Sequence, residues 1–499
     1  MTNLSDLFPA GAGKQVSFTA NGNVTGAGKA IILNSDGTIS QVVETAQSET
    51  MGTKAVFDST ISKDIGITYD TGQNKVFVAY VDSGDGSKAK GCVGTISGNS
   101  ISWGTPVVLD SYSCAYASCS YDTANEKVVA VWRSTGGGAA IDGYGNVITI
   151  SGTSFSLGTG SRLFRYGLMN YLKITYDIAN NCHLVSMQNG AVGNYGYSQK
   201  INVVGTTFTV QSGQTSFEST TTQLFDQVYD PDQEKHVLLY HDSSDNVKTI
   251  VADCSGAVTD NPTFGSSLTL NASATGNAGA LSYDSGEDKV GIFYNISNSA
   301  GSIYGRVGTV SGTSITAGTA VNFTNGQSTS DYTFGADYNA STQTNVLAYG
   351  DDYNNRGAVR VATISGTTLT WAASQVVYPL IFSETRYNAI VYDPDSTHMA
   401  IGFAVDSDEG TGVVYQQAAT LTNLTAAKFL GVSDAAISSA ASGNVTIKGG
   451  IAATGLSSLT PGSDYYAQGD GSISTTSTSP AVKIGKALSA TAINLEYTS

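Results

Sequence analysis

The sequence predicts an all-β protein built around a seven-bladed β-propeller, and three observations support this fold class. A Tyr-Asp pair recurs after an apolar stretch with a period of about 54 residues, and a fixed period of this order is typical of repeat architectures. Each repeat holds four short stretches rich in β-branched and aromatic residues, separated by glycine-rich turns, which is the content of one four-stranded blade. Glycine (57 residues) and tyrosine (27 residues) are abundant, and no long segment has helical periodicity. The seven anchors are Tyr69-Asp70, Tyr121-Asp122, Tyr176-Asp177, Tyr229-Asp230, Tyr283-Asp284, Tyr338-Asn339 and Tyr392-Asp393.

The repeat at 112–163 illustrates the predicted elements. The anchor Asp122 opens a turn with Asn125, and both residue types favour local side-chain bonds to the backbone. Gly152 ends a Ser-Gly hairpin turn, where glycine supplies a positive φ. In order, the predicted elements are a strand at 115–121, a turn at 122–127, a strand at 128–132, a loop from 134, a strand at 145–150, a turn at 151–154 and a fourth strand from Phe155.

The two ends of the repeat region predict that the propeller closes into a ring. The seventh copy stops near Thr422, after its third strand. The residues 40–43 (Ser-Gln-Val-Val) repeat 374–377, which belong to the fourth strand of the sixth copy. We therefore expect 38–47 to pair with the third strand of the last blade, around 412–421, because an unclosed array would leave exposed edges.

The sequence predicts two small β-modules outside the repeats, so that the domains are 1–37, 38–423 and 424–499. The N-terminal and C-terminal modules share the phrase Gly-Asn-Val-Thr, at 22–25 and 443–446. Each is too small to bury much apolar surface alone. We expect the modules to pack on each other, on the propeller or on another subunit.

Composition excludes several classes of partner. The formal net charge of −16 argues against binding to nucleic-acid phosphates and to anionic membrane surfaces. Five scattered cysteines lack the spacing of a zinc site, so we predict buried free thiols, no metal and no cofactor. The first residues lack the basic and apolar regions of a secretory signal, and no run of 18 apolar residues occurs. We expect assembly in a reducing cytoplasm.

The loops between the second and third strands of each blade are the predicted binding face. They share that face with the connections between blades, and they differ most from copy to copy. Binding residues concentrate on loops held by a rigid scaffold, and Tyr, Asn and Asp can stack on sugars or bond to them. Simple solvated loop tips are the alternative. The predicted receptor-binding residues are Asp82, Asp85, Tyr195, Tyr197, Tyr304, Asp351, Asp352, Tyr353 and Arg356.

No pattern of residues predicts catalysis. His183, His236 and His398 fall at corresponding places in different repeats, so they would be spread around a ring. No nucleophile elbow, P-loop or His-Glu-x-x-His motif is present. The acidic stretch 406–409 offers oxygen ligands for Ca²⁺, but as an isolated tetrapeptide. A glycosidase would need two carboxylates about 5–9.5 Å apart, and no pair stands out. We predict no catalytic residues.

The C-terminal module resembles a small β-module of tailed-phage fibre and virion proteins, through 459–466, 470–471 and 485–491. The opening 4–11 and the blade phrase 93–98 resemble structural proteins of marine and cyanobacterial phages. The resemblance implies a non-enzymatic virion protein, at the tail fibre or tail tip, that contacts a host glycan or protein. A capsid-decorating fibre and a carbohydrate-active hydrolase or lectin are the alternatives. Its implied partners are other virion proteins, reached through the terminal modules, and a second copy of the chain.

Overall fold

The protein is described here by a computed structural model, which covers 14–135, 142–164, 168–210, 213–257, 259–272, 278–296, 302–322, 334–351, 356–378, 385–405, 409–478 and 480–496. Within these ranges the chain is all-β, as predicted, with two short 3-10 helices at Ser83–Asp85 and Gly190–Val192. No helix in this part of the chain is long and apolar enough to cross a membrane. The chain divides into two compact units, one formed by 49–417 and the other by 1–48 together with 418–499.

Antiparallel strands, joined by turns and loops, make up most of the described chain. In chain order they are β1 (Gln15–Thr19), β2 (Ala30–Leu33), β3 (Ile39–Gln41), β4 (Glu44–Gln47), β5 (Thr50–Met51), β6 (Ala55–Asp70), β7 (Lys75–Asp82), β8 (Lys88–Ser97), β9 (Ser100–Trp103), β10 (Val107–Asp110), β11 (Cys114–Asp122), β12 (Lys127–Ser134), β13 (Asp142–Ser151), β14 (Ser154–Leu157), β15 (Ser161–Phe164), β16 (Met169–Asp177), β17 (Cys182–Asn189), β18 (Tyr195–Val204), β19 (Thr207–Val210), β20 (Thr215–Glu218), β21 (Gln223–Asp230), β22 (Lys235–His241), β23 (Val247–Asp253), β24 (Thr263–Phe264), β25 (Leu268–Asn271), β26 (Gly279–Asp284), β27 (Lys289–Ile296), β28 (Ser302–Ser311), β29 (Ser314–Ala317), β30 (Val321–Asn322), β31 (Gly335–Asn339), β32 (Thr344–Asp351), β33 (Arg356–Ser365), β34 (Thr368–Val377), β35 (Thr385–Asp393), β36 (His398–Val405), β37 (Glu409–Gln416), β38 (Ala419–Thr422), β39 (Phe429–Ser433), β40 (Ser442–Ile447), β41 (Ile451–Ala452), β42 (Asp464–Ala467), β43 (Ile473–Ser474), β44 (Val482–Ser489) and β45 (Ala492–Leu495).

The two ends of the chain form a single unit. One sheet has the order β1-β40-β39-β2-β3, so strands from both ends lie side by side, and β4 pairs with β38. A second sheet has the order β41-β45-β44-β42-β43. Ala30, Phe429, Tyr465, Ile484 and Ile493 share one apolar core. The described parts of the predicted modules 1–37 and 424–499 therefore belong to one unit, in which strands from both lie side by side.

The unit 49–417 repeats one arrangement of strands seven times, which we call repeat sheets 1 to 7. Three strands follow one another in each sheet, and in sheets 1 to 5 two short strands pair with opposite ends of the third. This is an all-β, propeller-like arrangement. The sheets are β6–β10, β11–β15, β16–β20, β21–β25, β26–β30, β31–β34 and β35–β37.

The last sheet is completed by the start of the unit, but not by the segment predicted. β37 pairs with β5 and with the first residues of β6, in the register Tyr415 with Met51 and Gly412 with Ala55. The predicted closing segment, 38–47, instead contributes β3 and β4 to the other unit, where β4 pairs with β38. The last sheet is thus completed from the N-terminal side, as predicted, but by β5 and the start of β6 and not by 38–47. Of the predicted pairing of 38–47 with 412–421, only that of 45–47 with 419–421 is observed, and it joins β4 to β38, not to the third strand of the last sheet.

The first strands of the seven sheets contact one another in a closed cycle. β6 lies against β11, and the series continues through β16, β21, β26 and β31 to β35, which lies against β6 again. The anchor tyrosines follow the same cycle. The Tyr121 hydroxyl accepts a hydrogen bond from Gly72 N in sheet 1 (3.1 Å), and the Tyr69 hydroxyl donates to Asp395 Oδ2 in sheet 7 (3.1 Å). The first and last repeats are therefore neighbours.

The anchor Asp or Asn side chains shape the turns, as their residue type predicts. Asp70 Oδ1 accepts hydrogen bonds from Gly72 N and Gln73 N, at 2.9 and 3.0 Å. The bond from the N–H three residues later recurs at all seven anchors, and the bond from the N–H two residues later recurs at all except Asp177; all seven are at most 3% exposed. The anchors are thus scaffold residues.

Candidate functional site

Four residues in the first strands adopt a left-handed backbone conformation. Asp64, Tyr116, Tyr171 and Tyr387 have φ angles of 48°, 56°, 53° and 54°, and each lies five residues before its anchor tyrosine. At each position the ladder with the second strand shifts register, as in a β-bulge. Such a backbone is unfavourable for residues with a Cβ and persists where the surrounding structure holds it, often at functional sites.

These residues surround one end of the axis defined by the first strands, a region we call the channel mouth. It is a cavity of about 120 Å³ to which all seven repeat sheets contribute. Its lining includes Asp64, Tyr116, Tyr171, Gln223, Tyr387 and Asn388. The three tyrosines thus form an aromatic rim around a small cavity.

Neighbouring polar groups fix the orientation of the rim. The rings of Tyr116 and Tyr171 lie 5.1 Å apart, and the Arg133 guanidinium lies 4.7 Å from the centre of the Tyr116 ring. Arg133 Nη1 also donates to Asn170 Oδ1 at 2.5 Å. Tyr116 N donates to Asp64 Oδ2 at 2.8 Å, which ties sheet 2 to sheet 1. The geometry of the rim is therefore preorganised by contacts within the protein.

Three carboxylates lie at different positions along the first strands, five, three and one residues before the anchor tyrosine. Each accepts a backbone N–H from the next sheet around: Asp64 from Tyr116, Asp226 from Leu281 and Asp337 from Tyr392, all at 2.8 Å. Burial raises the pKa of all three carboxyls, and it raises the pKa of Asp337 to about 6. These three carboxyl groups therefore remain protonated to a higher pH than exposed carboxyl groups do.

Replacing Asp337 with Asn is expected to change how stability depends on pH. Because the pKa of Asp337 is about 6 in the folded chain and 3.8 in the reference state, the folded protein holds more protons between these values. Stability from this group therefore falls as pH rises through that window. In Asp337→Asn the side chain stays neutral and keeps an acceptor for Tyr392 N. Between pH 4 and pH 7 the free energy of unfolding of the variant should rise relative to that of the wild type by up to about 3 kcal/mol, as measured by urea titrations. Parallel pH profiles of the two proteins would contradict this prediction.

The opposite end of the first strands has a wider opening of about 400 Å³. Its lining includes the anchor residues Tyr121, Tyr176 and Tyr229. The Tyr121 and Tyr229 hydroxyls bond to backbone N–H groups of the preceding turns, at 3.1 and 3.3 Å. These aromatic residues join neighbouring sheets, so the channel mouth is the better candidate for a site.

The predicted binding residues of sheet 1 form an internal ion network. Asp82 is completely buried, and its carboxylate accepts bonds from Asp85 N (3.0 Å) and Lys90 Nζ (2.5 Å). Lys90 also lies 3.3 Å from Asp85 Oδ2 and 3.6 Å from Asp58 Oδ2. Lys248 makes a similar pair of contacts, with Asp242 in sheet 4 and with Glu218 at the end of β20 in sheet 3. Repetition in two sheets indicates a structural role for Asp82.

The other predicted binding residues that the structure describes lie in sheets 3, 5 and 6. Tyr195 and Tyr197 are half-buried in β18, and Tyr304 stacks on Tyr294 with ring centres 5.9 Å apart. Asp351 is 1% exposed and lies 3.6 Å from Arg356 Nε. Asp352 and Tyr353 lie outside the described residues, as do 406–408 of the acidic stretch.

The histidines are separated, as their positions predict, since they begin the second strands of sheets 3, 4 and 7. His183 Nε2 lies 3.6 Å from Asp122 and His236 Nε2 lies 3.5 Å from Asp177, in each case the anchor of the preceding sheet. Both rings are completely buried, and burial lowers the pKa of both imidazoles. Both imidazoles therefore stay neutral at neutral pH.

Sequence reasoning missed the three rim tyrosines, although a signal was present. Tyr116, Tyr171 and Tyr387 all stand five positions before an anchor, in three of seven copies. A tyrosine repeated at one position of a strand can equally serve the core. What distinguishes the rim is the bulge and the left-handed backbone, which the residue type does not specify.

Comparisons with known proteins identify no family. No family model matches the chain, and no curated protein matches it. Among solved structures, the chain is similar to Raptor from Chaetomium thermophilum, with a TM-score of 0.44 and 10% sequence identity. The match covers 75% of this chain and 30% of the Raptor chain. The site must therefore be interpreted from its own geometry.

Proposed function

We propose that 49–417 forms a closed seven-bladed β-propeller, and that the protein is a non-enzymatic virion component that binds a host-surface glycan at the channel mouth. The cyclic contact of the first strands and the completion of sheet 7 by β5 and β6 support the closed ring. The observation that carries the binding function is the rim of Tyr116, Tyr171 and Tyr387, held in a left-handed backbone around one cavity.

The chemistry of the rim favours a sugar. Flat aromatic faces bind the apolar faces of pyranose rings, and polar side chains such as Asp64 and Gln223 line the same cavity. A cavity of about 120 Å³ is smaller than the roughly 300–1,000 Å³ of sites that enclose a whole ligand. The mouth would therefore seat one terminal sugar of a longer chain.

The polar lining supports binding without hydrolysis. Among the described residues that line the mouth, Asp64 is the only carboxylate, and its Oδ2 accepts the Tyr116 N–H. Hydrolysis with two carboxyl groups would need a second one about 5–9.5 Å away. The competing hydrolase hypothesis predicts new reducing ends when the protein is incubated with host envelope polysaccharide, and their release would overturn the non-enzymatic proposal.

The virion assignment rests on the resemblance of 459–466, 470–471 and 485–491 to phage fibre modules. These residues lie in the unit formed by both chain ends, in and around β42 to β44. We propose that this unit attaches the protein to other virion proteins. Mass spectrometry of purified virions should find the chain in multiple copies, and immunogold labelling should place it at the tail. Absence from particles would reject the virion role, and label on the capsid alone would favour the decorating fibre.

Removing the rim tyrosines is expected to weaken glycan binding without unfolding the chain. Glycine accepts a left-handed backbone, so Tyr116→Gly, Tyr171→Gly and Tyr387→Gly remove the rings and relieve strain together. Each should weaken binding of host envelope polysaccharide about tenfold, equal to about 1.4 kcal/mol, in calorimetry. Tyr112→Gly is the control, because Tyr112 is 57% exposed outside the mouth. Unchanged affinity in a folded triple variant would contradict the proposal.

A further inference from the structure

A buried group of metal-ligating side chains lies between repeat sheets 3 and 4, away from the channel mouth. One carboxylate oxygen of Asp177 and the sulfur atoms of Cys182 and Cys254 all lie within 4.8 Å of one another. Asp177 and Cys254 are completely buried and Cys182 is 2% exposed. All five cysteines of the chain are buried free thiols, as predicted, but these two are brought together with an acid.

The fold, not local sequence, assembles this group. Asp177 ends β16 and faces Cys182, the first residue of β17, across the ladder. Cys254 follows β23 in the next sheet. Its sulfur and that of Cys182 meet because the start of the second strand in sheet 3 lies beside the end of the third strand in sheet 4. Since the two cysteines are separated by more than one repeat, their sequence spacing does not resemble a zinc motif.

His236 supplies a second, independent observation. Its ring is completely buried, and Nε2 has no hydrogen-bond partner among the described residues, although it lies 3.5 Å from Asp177 Oδ2. Nδ1 lies 2.8 Å from Thr175 Oγ1. With the Nδ1 proton donated to Thr175, the Nε2 lone pair faces the acid. Metal-bound histidines are commonly oriented by such a bond from the other ring nitrogen.

The charge of the group fits a divalent cation, and its spacing is close to that of a zinc site. Tetrahedral zinc, with bonds of about 2.0–2.3 Å, places its donor atoms roughly 3.3–3.8 Å apart. The three donors lie within 4.8 Å of one another and would need to approach by up to about 1 Å to bind zinc, whereas the 3.5 Å between Asp177 and His236 already lies in this range. Lys200 Nζ, on a side chain 1% exposed, donates to the carbonyls of Cys254 and Ala257 at 3.0 Å. Two thiolates and one carboxylate (−3) with this ammonium (+1) leave −2, which one divalent cation balances.

We propose that Asp177, Cys182 and Cys254 bind one zinc ion that joins repeat sheets 3 and 4, and that His236 Nε2, which lies beside Asp177 but outside this three-atom group, becomes the fourth ligand. Thiolate and imidazole donors select zinc over Mg²⁺ and Ca²⁺. On binding, each thiol loses its proton to solvent and forms a sulfur–zinc bond, with no change of oxidation state. This inference does not depend on glycan binding or on the virion role.

The test is zinc titration of the full-length chain, stripped of metal and kept reduced with a phosphine. We expect one zinc per chain, a higher melting temperature, and sulfur-to-metal charge-transfer absorption when Co²⁺ replaces zinc. The double variant Cys182→Ser/Cys254→Ser should lose the charge-transfer band and bind zinc at least 100-fold more weakly. The matched control is Cys92→Ser/Cys119→Ser, which changes two buried thiols outside the group and should retain both signals.

Two results would overturn the proposal. One is the absence of zinc binding by the reduced wild-type chain, including the case in which Cys182 and Cys254 are found joined as a disulfide that reduction opens without creating zinc affinity. The other is equal zinc affinity in both double variants. His236→Gln tests the fourth ligand through the Co²⁺ spectrum, because loss of a nitrogen donor shifts the ligand-field bands, and an unchanged spectrum would exclude His236.

Discussion

Deleting residues 1–61 is expected to unfold the seven-sheet unit, whereas deleting 1–48 should leave that unit intact. The larger deletion removes β5 and the first residues of β6, so β37 becomes an edge with unpaired N–H and C=O groups. It also removes Phe57, which is 4% exposed and packs against Tyr80 and Trp103 with ring centres 5.0 and 5.2 Å away. Loss of one such buried ring alone costs about 3–5 kcal/mol.

The comparison is best made with fragments 49–417 and 62–417. Both lack the unit formed by the chain ends, so their difference reports closure alone. Fragment 49–417 should melt cooperatively. The free energy of unfolding of fragment 62–417 should be lower by more than about 5 kcal/mol, which is enough to unfold a typical domain. Equal melting temperatures would show that sheet 7 does not need its N-terminal strands.

The sequence contains a signal for the segment that completes sheet 7, but the tetrapeptide repeat at 40–43 obscured it. Gly52-Thr53 repeats the Gly-Thr pairs at 104, 158 and 318. Each of these glycines donates its N–H to a third-strand carbonyl of its own sheet, Val414 in the case of Gly52 (2.8 Å). A Cβ on Gly52 would lie 1.8 Å from Asn99 O, and one on Gly104 would lie 2.0 Å from Thr153 O. Because any side chain at this position would clash with a backbone carbonyl of the neighbouring sheet, the Gly-Thr pair is a marker of the fourth strand.

The turns were predictable because their chemistry is local. An Asp that ends a strand can bond to the N–H groups two and three residues later without help from the rest of the chain. The predicted binding loops were a weaker inference, since charge on a loop does not show whether it is solvated. Asp82 is buried because Lys90, on the next strand, pairs with it, and Asp58 lies 3.6 Å from the same ammonium. Those contacts depend on tertiary packing.

The rim and the proposed zinc site are the two features that local sequence predicts least well. The rim needs a bulge in the first strand, and nothing about Tyr171 in its sequence neighbourhood specifies a positive φ. The zinc site needs Cys182 and Cys254 to meet across two sheets. In a repeat protein the shared pattern reveals the scaffold, while the departures from it carry function and are placed only by the fold.

Replacing the anchor Asp284 with Ala is expected to be among the most destabilising single substitutions in the chain. Asp284 is 2% exposed, and its carboxylate accepts bonds from Gly286 N (3.0 Å), Glu287 N (3.2 Å) and Asn345 Nδ2 (2.8 Å). The last bond joins sheet 5 to sheet 6. Alanine removes the carboxylate acceptor from all three donors, of which Asn345 Nδ2 belongs to a completely buried side chain, and an unsatisfied buried group costs about 1–3 kcal/mol. We expect a loss of about 3–5 kcal/mol in urea-induced unfolding.

Asp284→Asn separates the turn from the link between sheets. Asn339 occupies the equivalent position in sheet 6 and bonds to Ser341 N and Thr342 N, so an amide oxygen suffices for the turn. The Asn variant should therefore lose much less stability than the Ala variant. Asp36→Ala is the exposed control, because Asp36 makes a similar turn bond to Thr38 N at 2.9 Å and should change stability little. If Asp284→Ala behaved like that control, the anchors would not hold neighbouring sheets together.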